Sequence, residues 1–166
     1  MPDLNVLHQM QRVGIVLDTG LLLLLVVGNA SPERIGSERT KDYTAHDFTL
    51  LDRLVGTSRS VHVSPNVLTE VDNFLKRGKA VGTMDGQRVF RSLVQTRLEE
   101  KYESSSLLMA DQTYLRLGLA DCSIDKLADQ GHVVVTNDSK LNNELQRRGR
   151  YSLHWETVRS WSPEKV

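Results

Sequence analysis

Short apolar runs rich in β-branched residues alternate along this chain with longer segments of helical periodicity. The clearest runs are 13–17, 61–63 and 132–136, and a fourth run at 152–155 predicts a last strand. Strands that alternate with helices predict a mainly parallel sheet, because each connecting helix covers one face of the sheet. The sequence therefore predicts an α/β fold, built as a three-layer α/β/α sandwich.

Helical spacing of apolar residues accounts for most of the chain between these runs. It predicts helices that begin at Ser64-Pro65 or extend over 45–55, 87–102, 107–117, 121–129 and 139–147. The segment 21–27 fits either a strand or a buried helix, and its five consecutive leucines favour the helix. Segments 28–40 and 76–86 contain glycine and many polar residues, which indicates connections.

The chain has 166 residues, enough for one domain with a substantial core. We expect a polar N-terminal tail over 1–12, one folded domain over 13–156 and a C-terminal tail over 157–166. A single cysteine excludes a disulfide framework and a zinc site built on several thiolates. No apolar run reaches the ~20 residues of a membrane-spanning helix, and the N-terminus lacks a signal-peptide core, so we expect a cytoplasmic protein.

The 21 basic and 21 acidic side chains cancel, so the formal net charge is zero. Such a chain has no overall attraction for nucleic acid, and a nucleic-acid partner would need a local basic patch. The best candidate patch for binding RNA follows the helix of Glu70 and contains Lys76, Arg77 and Lys79. The arginines within 88–97 and 147–150 are weaker alternatives, and each of these groups also fits a solvated helix face.

Four acidic residues stand at the ends of the predicted strands or on helices next to them. Asp18 and Asp138 follow apolar runs, Glu70 lies on the helix after 61–63, and Asp121 starts a late helix. Parallel sheets bind ligands outside the carboxyl ends of their strands, so these side chains are predicted to converge there. Four carboxylates in one site repel one another unless a cation neutralises them, and oxygen ligands favour Mg²⁺ or Mn²⁺.

Neighbouring residues extend this predicted metal site. Asp125 lies one helical turn after Asp121, so the two carboxylates could share one face and Asp125 could assist in binding the metal. Thr19 and Thr136 could orient the metal-binding carboxylates through hydrogen bonds. Taken singly, each acid also has a plain structural explanation as a turn residue, a helix cap or a solvated surface residue.

The order and context of these acids resemble those of PIN-domain nucleases. That family has an Asp after its first strand, a Glu on the helix after its second, an Asp at the start of a late helix, and Thr-x-Asp after its fourth strand. The corresponding residues here, in the same order, are Asp18, Glu70, Asp121 and Thr136-Asn137-Asp138. The strongest match is 118–128 followed by 133–141, and the resemblance covers roughly 13–155.

This resemblance implies an α/β/α nuclease that cuts RNA internally with one or two Mg²⁺ or Mn²⁺ ions. It also brings in toxins of the VapC type, which pair with an antitoxin protein and often form homodimers. Two features depart from the family. Gly20 stands where many members have Ser or Asn, and the chain is longer than compact toxins, mainly over 28–44 and 76–86.

The resulting hypothesis is metal-assisted hydrolysis of RNA phosphodiester bonds, with Asp18, Glu70, Asp121 and Asp138 holding the ion. The alternative is a PIN-like module that binds RNA or protein without cutting. A third interpretation starts from Leu17-Asp18-Thr19-Gly20, which contains the Asp-Thr-Gly tripeptide of aspartic proteases. Those enzymes are all-β and need two such aspartates, whereas this chain has one copy and a strong helical pattern.

Overall fold

A five-stranded sheet lies at the centre of the protein in the computed structural model, which describes residues 3–77 and 84–161. Its strands are β1 (Ile15–Leu17), β2 (Val61–Val63), β3 (Leu98–Glu100), β4 (Val133–Thr136) and β5 (Ser152–His154). Their order is β3-β2-β1-β4-β5, and every neighbouring pair is parallel. All residues of β1, β2 and β4 are buried, because helices cover the sheet. The predicted three-layer α/β/α fold is confirmed.

Helices make up most of the remaining chain. Their bounds are α1 (Leu4–Arg12), α2 (Thr19–Ala30), α3 (Ala45–Thr57), α4 (Pro65–Arg77), α5 (Met84–Thr96), α6 (Ser105–Ala110), α7 (Tyr114–Leu117), α8 (Leu119–Asp129), α9 (Ser139–Arg147) and α10 (Trp155–Arg159). Two single-turn 3-10 helices, Pro32–Arg34 and Glu38–Thr40, lie in the connection predicted after α2. Among the described helices, none combines the length and the apolar character that crossing a bilayer requires.

Helix α2 forms the centre of the core. Every residue from 21 to 28 is buried, which resolves the choice between strand and helix for this segment in favour of the helix. Gly28 lies against the ring of Phe48 on α3, and a Cβ atom at position 28 would be 2.1 Å from that ring. The missing side chain therefore allows α2 and α3 to pack closely.

Two predicted helices differ from the structure at their ends. The helix predicted over 87–102 ends at Thr96, and the chain continues as β3 beside β2. This strand lies at the edge of the sheet and two of its three residues are exposed glutamates, so it lacks the apolar pattern of a buried strand. The helix predicted over 107–117 is divided into α6 and α7. The Asp111 carboxylate accepts a hydrogen bond from the Thr113 backbone between them, and so favours a turn there.

Both ends of the described chain are folded, where the sequence predicted tails. Helix α1 occupies most of 1–12 and buries Gln9 and Met10. Beyond residue 156, helix α10 continues and the chain buries Val158 and Trp161. Each segment is short and buries only two side chains of its helix, so composition indicated tails although both helices pack on the domain.

The strand order places a crevice at the carboxyl ends of β1 and β4. Strands β2 and β3 extend the sheet on one side of β1, whereas β4 and β5 extend it on the other. The connections after β1 and β4 therefore leave in opposite directions, and parallel sheets bind their ligands at such a point. Asp18 follows β1 and Asn137-Asp138 follows β4, so the fold brings these residues to the crevice.

Candidate functional site

An open cleft of about 550 Å³ lies at this crevice. Its walls come from the start of α2, from α4, from the start of α8 and from the turn between β4 and α9. The four predicted acids all line it, namely Asp18, Glu70, Asp121 and Asp138. The other lining residues are Thr19, Gly20, Tyr43, Asn137, Ser139 and Leu141. The fold thus brings together acids that are far apart in the sequence.

Asp18 is the most buried of the four acids, with 8% of its surface exposed. Its Oδ1 atom accepts a 2.8 Å hydrogen bond from the Leu21 backbone and so caps α2. Its Oδ2 atom accepts hydrogen bonds from the Thr136 hydroxyl at 2.5 Å and from the Asn137 backbone at 2.9 Å. Burial raises the pKa of Asp18, and these hydrogen bonds oppose the rise because they favour the charged form. Three donors therefore fix this carboxylate in position.

Thr136 links Asp18 to Asp138. Its hydroxyl donates to Asp18 and accepts a 2.9 Å hydrogen bond from the Asp138 backbone. The Oδ1 atom of Asp138 in turn accepts hydrogen bonds from the backbones of Lys140 and Leu141, which caps α9. Thr136 therefore makes the orienting contact that the sequence predicted, and Asp138 is a helix cap as well as a cleft residue.

Glu70 reaches the cleft from α4. Its Oε2 atom accepts a 2.7 Å hydrogen bond from the hydroxyl of Thr19. Because Thr19 is the first residue of α2, this bond ties the exposed glutamate to the end of the helix that carries partial positive charge. Thr19 thus holds Glu70 much as Thr136 holds Asp18, which agrees with the predicted orienting role of both threonines.

The charge state of Asp121 depends strongly on the other acids of the cleft. Burial and the negative charges of Asp138, Asp18 and Glu70 raise the pKa of Asp121 to about 7, and Lys140 only partly opposes the rise. A carboxyl group is shifted in this way when other carboxylates share a small, poorly hydrated volume with it. At neutral pH the cleft therefore holds more negative charge than nearby cations compensate, and a bound cation would relieve the repulsion.

The chemical groups of the cleft suit a hard divalent cation. Apart from Tyr43, the titratable side chains that line it are carboxylates, and the surrounding hydroxyl and amide groups supply further oxygen atoms. Mg²⁺ and Mn²⁺ prefer oxygen ligands and retain several waters, for which an open cleft has room. Among the described residues, no three His, Cys, Asp or Glu side chains already lie close enough to hold a metal ion. Coordination therefore requires the exposed Glu70 and Asp138 to turn inward, or waters to bridge to them.

Asp125 lies outside the cleft, which corrects the prediction that it assists in binding a metal. It is buried, and each of its carboxylate oxygens lies 3.5 Å from a guanidinium nitrogen, one of Arg148 and the other of Arg150. Burial raises the pKa of Asp125, and the two arginines oppose the rise. One helical turn carries Asp125 along α8 to the arginines that follow α9. The four-residue spacing from Asp121 correctly predicted that both residues lie on one helix, but it did not predict that Asp125 pairs with these arginines.

The predicted RNA-binding patch lies at the end of α4. Lys76 forms an ion pair with Asp72, with 2.5 Å between Nζ and Oδ2. Arg77 is exposed and lines a second groove beside the 3-10 helix of residues 38–40. Lys79 lies outside the described residues. Of Lys76 and Arg77, the two that the structure describes, Arg77 is thus the one that lines a groove with other cations.

Tyr43 and Asn137 line the cleft and were not predicted from the sequence. Burial and the nearby charge of Asp18 raise the pKa of Tyr43, and a hydrogen bond with the Asn137 side chain opposes the rise. A Cβ atom at Gly20 would lie 3.1 Å from the Tyr43 hydroxyl. The hydroxyl group of Tyr43 therefore lies beside Gly20, which has no side chain of its own. Tyr43 lies in an irregular segment and belongs to no periodic pattern, so the sequence did not indicate that it lines the cleft.

The fold excludes the aspartic-protease interpretation of Asp18-Thr19-Gly20. Such proteases are all-β and use two aspartates that share a proton. Here the tripeptide follows a parallel strand of an α/β fold, and the carboxylate of Asp18 is held by Thr136.

Comparison with known proteins does not assign a family. No protein-family model matches the chain, and no curated protein matches it significantly. The resemblance to PIN-domain nucleases stays a prediction, and the function must be inferred from the geometry of the cleft.

Proposed function

We propose that the protein is a metal-dependent endoribonuclease of the PIN type, which hydrolyses RNA phosphodiester bonds in the cleft beside β1 and β4. One observation carries this proposal. Four carboxylates from separate parts of the fold line that cleft, and burial together with the charges of the other three raises the pKa of the fourth, Asp121, to about 7. Carboxylates with strongly perturbed pKa values in a cleft are typical of functional sites, because their repulsion destabilises the fold unless a ligand uses it.

Mg²⁺ or Mn²⁺ is the proposed cofactor, held by Asp18, Glu70, Asp121 and Asp138 directly or through water. When bound, such an ion lowers the pKa of a coordinated water and stabilises negative charge on the scissile phosphate. Phosphodiester hydrolysis is proposed because this oxygen-rich donor set suits metal-activated water, and RNA is proposed as the substrate because the acids resemble those of PIN-domain nucleases.

The protein's own residues prepare the site by fixing two of its carboxylates. Thr136 and Asn137 hold one oxygen of Asp18 while the Leu21 backbone holds the other. Thr19 holds one oxygen of Glu70. A carboxylate that is already oriented loses less conformational entropy when it binds an ion, which favours metal binding at Asp18. Glu70 is held beside the cleft by Thr19 and would turn inward or bind the ion through water.

The same resemblance extends the proposal to a cytoplasmic toxin that pairs with an antitoxin protein and forms homodimers. No contact in the structure bears on the antitoxin or on the homodimer, and both stay predictions.

A module that binds RNA or protein without cutting is the second candidate. It is favoured by the spacing of the acids, since no three acidic, His or Cys side chains of the described residues lie close enough to hold a metal. This candidate predicts RNA binding that EDTA does not change, and no cleavage with Mg²⁺ or Mn²⁺. Metal-dependent cleavage therefore distinguishes the two candidates.

Asp121→Asn and Glu70→Gln are the variants that test the nuclease proposal. We expect the native protein to cut single-stranded RNA with Mg²⁺ or Mn²⁺ but not with EDTA. Each variant should be slower by about 100-fold or more, because it lacks a carboxylate that holds the ion. Asp18→Asn is less informative, since an amide nitrogen in place of Oδ2 could not accept the hydrogen bonds from Thr136 and Asn137.

Asp129→Asn is the matched control for these variants. Asp129 lies on the same helix as Asp121, is exposed, and pairs with Arg150 away from the cleft, with 2.6 Å between Oδ1 and Nη1. This control should cut RNA at the native rate, and circular dichroism should show that every variant is folded. Native-rate cleavage by Asp121→Asn would contradict the proposal, and absence of cleavage by the native protein with either metal would favour the binding module.

A further inference from the structure

A second groove, of about 500 Å³, lies beside the acidic cleft. Its lining residues are Glu38, Arg39, Lys41, Asp42, Phe74 and Arg77. They come from the segment between α2 and α3 and from the C-terminal part of α4. A groove of this volume is typical of sites for a small molecule or a short piece of a polymer.

Cations outnumber carboxylates in this groove, in contrast to the acidic cleft. Arg39, Lys41 and Arg77 face two acidic residues, Glu38 and Asp42. Within 3–77 and 84–161, neither Lys41 nor Arg77 forms an ion pair, and both side chains are exposed. Both therefore remain available to phosphate groups, which Lys and Arg neutralise in complexes with nucleic acids.

Arg39 and Phe74 lie against each other in the same groove. The guanidinium carbon of Arg39 lies 4.3 Å from the centre of the Phe74 ring, which is a cation–π contact. Unpaired nucleobases stack on aromatic rings and on guanidinium planes, whereas the bases of a duplex already stack on one another. Exposed cations beside such a pair therefore suit a single strand better than a duplex.

The groove and the acidic cleft share their walls. Glu70, Phe74 and Arg77 are spaced by four and three residues along α4, so they lie on one face of the helix. On the other side, Tyr43 lines the acidic cleft while Lys41 and Asp42 line the groove. The same two segments therefore line both sites, and a polymer in the groove that follows α4 towards Glu70 would approach the cleft.

We propose that this groove binds the single-stranded RNA segment next to the bond that is cut. Lys41 and Arg77 contact its phosphates, and an unpaired base stacks on the Arg39–Phe74 pair. The identity of the polymer rests on the proposed nuclease function. The segment 28–44, which makes the chain longer than compact toxins, thereby gains a role as one wall of the substrate groove.

Binding can be measured apart from cleavage by the fluorescence anisotropy of a short labelled single-stranded RNA in EDTA. The double variant Lys41→Gln/Arg77→Gln removes two positive charges from the groove. We expect it to bind about tenfold more weakly, with the slope of log Kd against log salt reduced by about 0.7 for each phosphate that the groove no longer neutralises. The control is Arg88→Gln/Arg91→Gln, which removes two exposed charges from α5 and should bind as the native protein does.

Phe74→Leu tests the stacking contact separately from charge. Leucine keeps an apolar side chain at this half-buried position but offers no ring face to a base. We expect a several-fold loss of affinity for single-stranded RNA and no change for a duplex of the same sequence. The native protein should prefer the single strand to the duplex.

The outcomes separate this inference from the nuclease proposal. Equal losses of affinity in the two double variants, or no loss in either, would overturn the groove assignment. The nuclease proposal would not be affected, because metal-dependent cleavage tests it separately. A loss confined to the groove variants supports the groove even if the native protein cuts no RNA with Mg²⁺ or Mn²⁺, and that second result would refute the nuclease function alone.

Discussion

Asp121 illustrates how one residue can oppose the stability of the fold that surrounds it. Its pKa is raised to about 7 by burial and by three neighbouring carboxylates, and no hydrogen bond is among the effects that oppose this rise. Asp18, Glu70 and Asp138, by contrast, each accept hydrogen bonds from described residues. The repulsion in the metal-free cleft therefore falls mainly on Asp121.

We expect Asp121→Asn to raise the free energy of unfolding of the metal-free protein by roughly 1–2 kcal/mol, because the amide carries no charge for its neighbours to repel. Urea unfolding in EDTA measures this change. Added Mg²⁺ should stabilise the native protein more than the variant. Asp129→Asn, the control on the same helix, should change stability by less than about 1 kcal/mol. A variant less stable than the native protein in EDTA would contradict the inferred repulsion.

At the scale of residues, the sequence revealed the acids because strand ends are recognisable and converge in a parallel sheet. It misplaced Asp125, since helical spacing does not show that two arginines from another helix end nearby. It missed Tyr43, whose position depends on the path of an irregular segment rather than on any period. Side chains set by regular elements were predictable, and side chains set by loops were not.

At the scale of elements, helices α10 and α3 are joined by hydrogen bonds to one buried carboxylate, that of Asp47. Asp47 is 2% exposed and accepts hydrogen bonds from the Trp155 indole at 2.9 Å and from the Arg159 guanidinium at 2.5 and 3.0 Å. Burial opposes ionisation, but hydrogen bonds from Arg159, Thr44 and Trp155 lower the pKa of Asp47 to about 2. The segment that composition marked as a tail therefore holds a charged group that the core could not otherwise accommodate.

Arg159→Ala should lower the free energy of unfolding by about 2–4 kcal/mol, because it leaves the buried Asp47 carboxylate without its charged partner. Urea unfolding at neutral pH checks this value. Arg147→Ala is the matched control, since Arg147 is exposed and pairs with Glu144 at 2.6 Å between Nη2 and Oε1. Its loss should leave the free energy of unfolding nearly unchanged, because solvent screens an exposed ion pair. Similar losses of stability in the two variants would show that burial of Asp47 does not matter.

The contrast between β4 and β3 shows which elements a sequence reveals. Strand β4 is buried along its whole length and forms a continuous apolar run. Strand β3 pairs through its backbone at the edge of the sheet, and its side chains are mostly exposed. Backbone pairing leaves no mark in composition, so an edge strand that follows a helix was predicted as part of that helix.

At the scale of the whole molecule, two histidines from distant segments stack inside the fold. The rings of His62 and His132 are both buried, with centroids 3.9 Å apart. Gly14 has φ of +106°, and a Cβ atom there would clash with Ser60 and lie 3.1 Å from His62 Nε2, so glycine makes room for Ser60 and for the nearer histidine ring. Burial lowers the pKa of both histidines, while Glu99 favours and Lys101 opposes their protonation.

Because both pKa values are lower in the folded state, the unfolded chain binds more protons below its ordinary histidine pKa of about 6.5. The contribution of the two histidines to the free energy of unfolding should therefore be largest at neutral pH and fall as the pH drops from about 7 to about 5. Asp121, whose pKa is raised to about 7, contributes in the opposite direction over the same range, so the histidine contribution is read from the difference between a variant and the native protein. His62→Phe keeps a ring in the stack but removes one titrating group. We expect this variant to reduce the slope of the free energy of unfolding against pH, between about pH 7 and pH 5, by up to about 1.4 kcal/mol per pH unit.

His46→Gln is the control for this pH dependence. His46 is exposed on α3, so its replacement should leave the slope unchanged. Urea unfolding repeated across this pH range measures all three proteins. The same slope in His62→Phe as in the native protein would contradict a role for the stacked pair.

The three-layer architecture itself followed from the alternation of apolar runs and helical segments. The strand order did not, because β3 had no recognisable pattern and because the side on which each helix crosses the sheet depends on packing. The sequence therefore predicted only that the acids lie at the carboxyl ends of the strands. The structure shows that the crevice lies between β1 and β4.

Asp18 closes the first turn of the helix at the centre of the core as well as lining the cleft. Under the proposed function, a descendant that lost the activity could discard Asp121 with a gain in stability, whereas loss of Asp18 would weaken the fold. Loss of the acids through evolution should therefore begin at Asp121 rather than at Asp18. An aspartate that persists after the first strand would then say little about whether a descendant has kept the proposed activity.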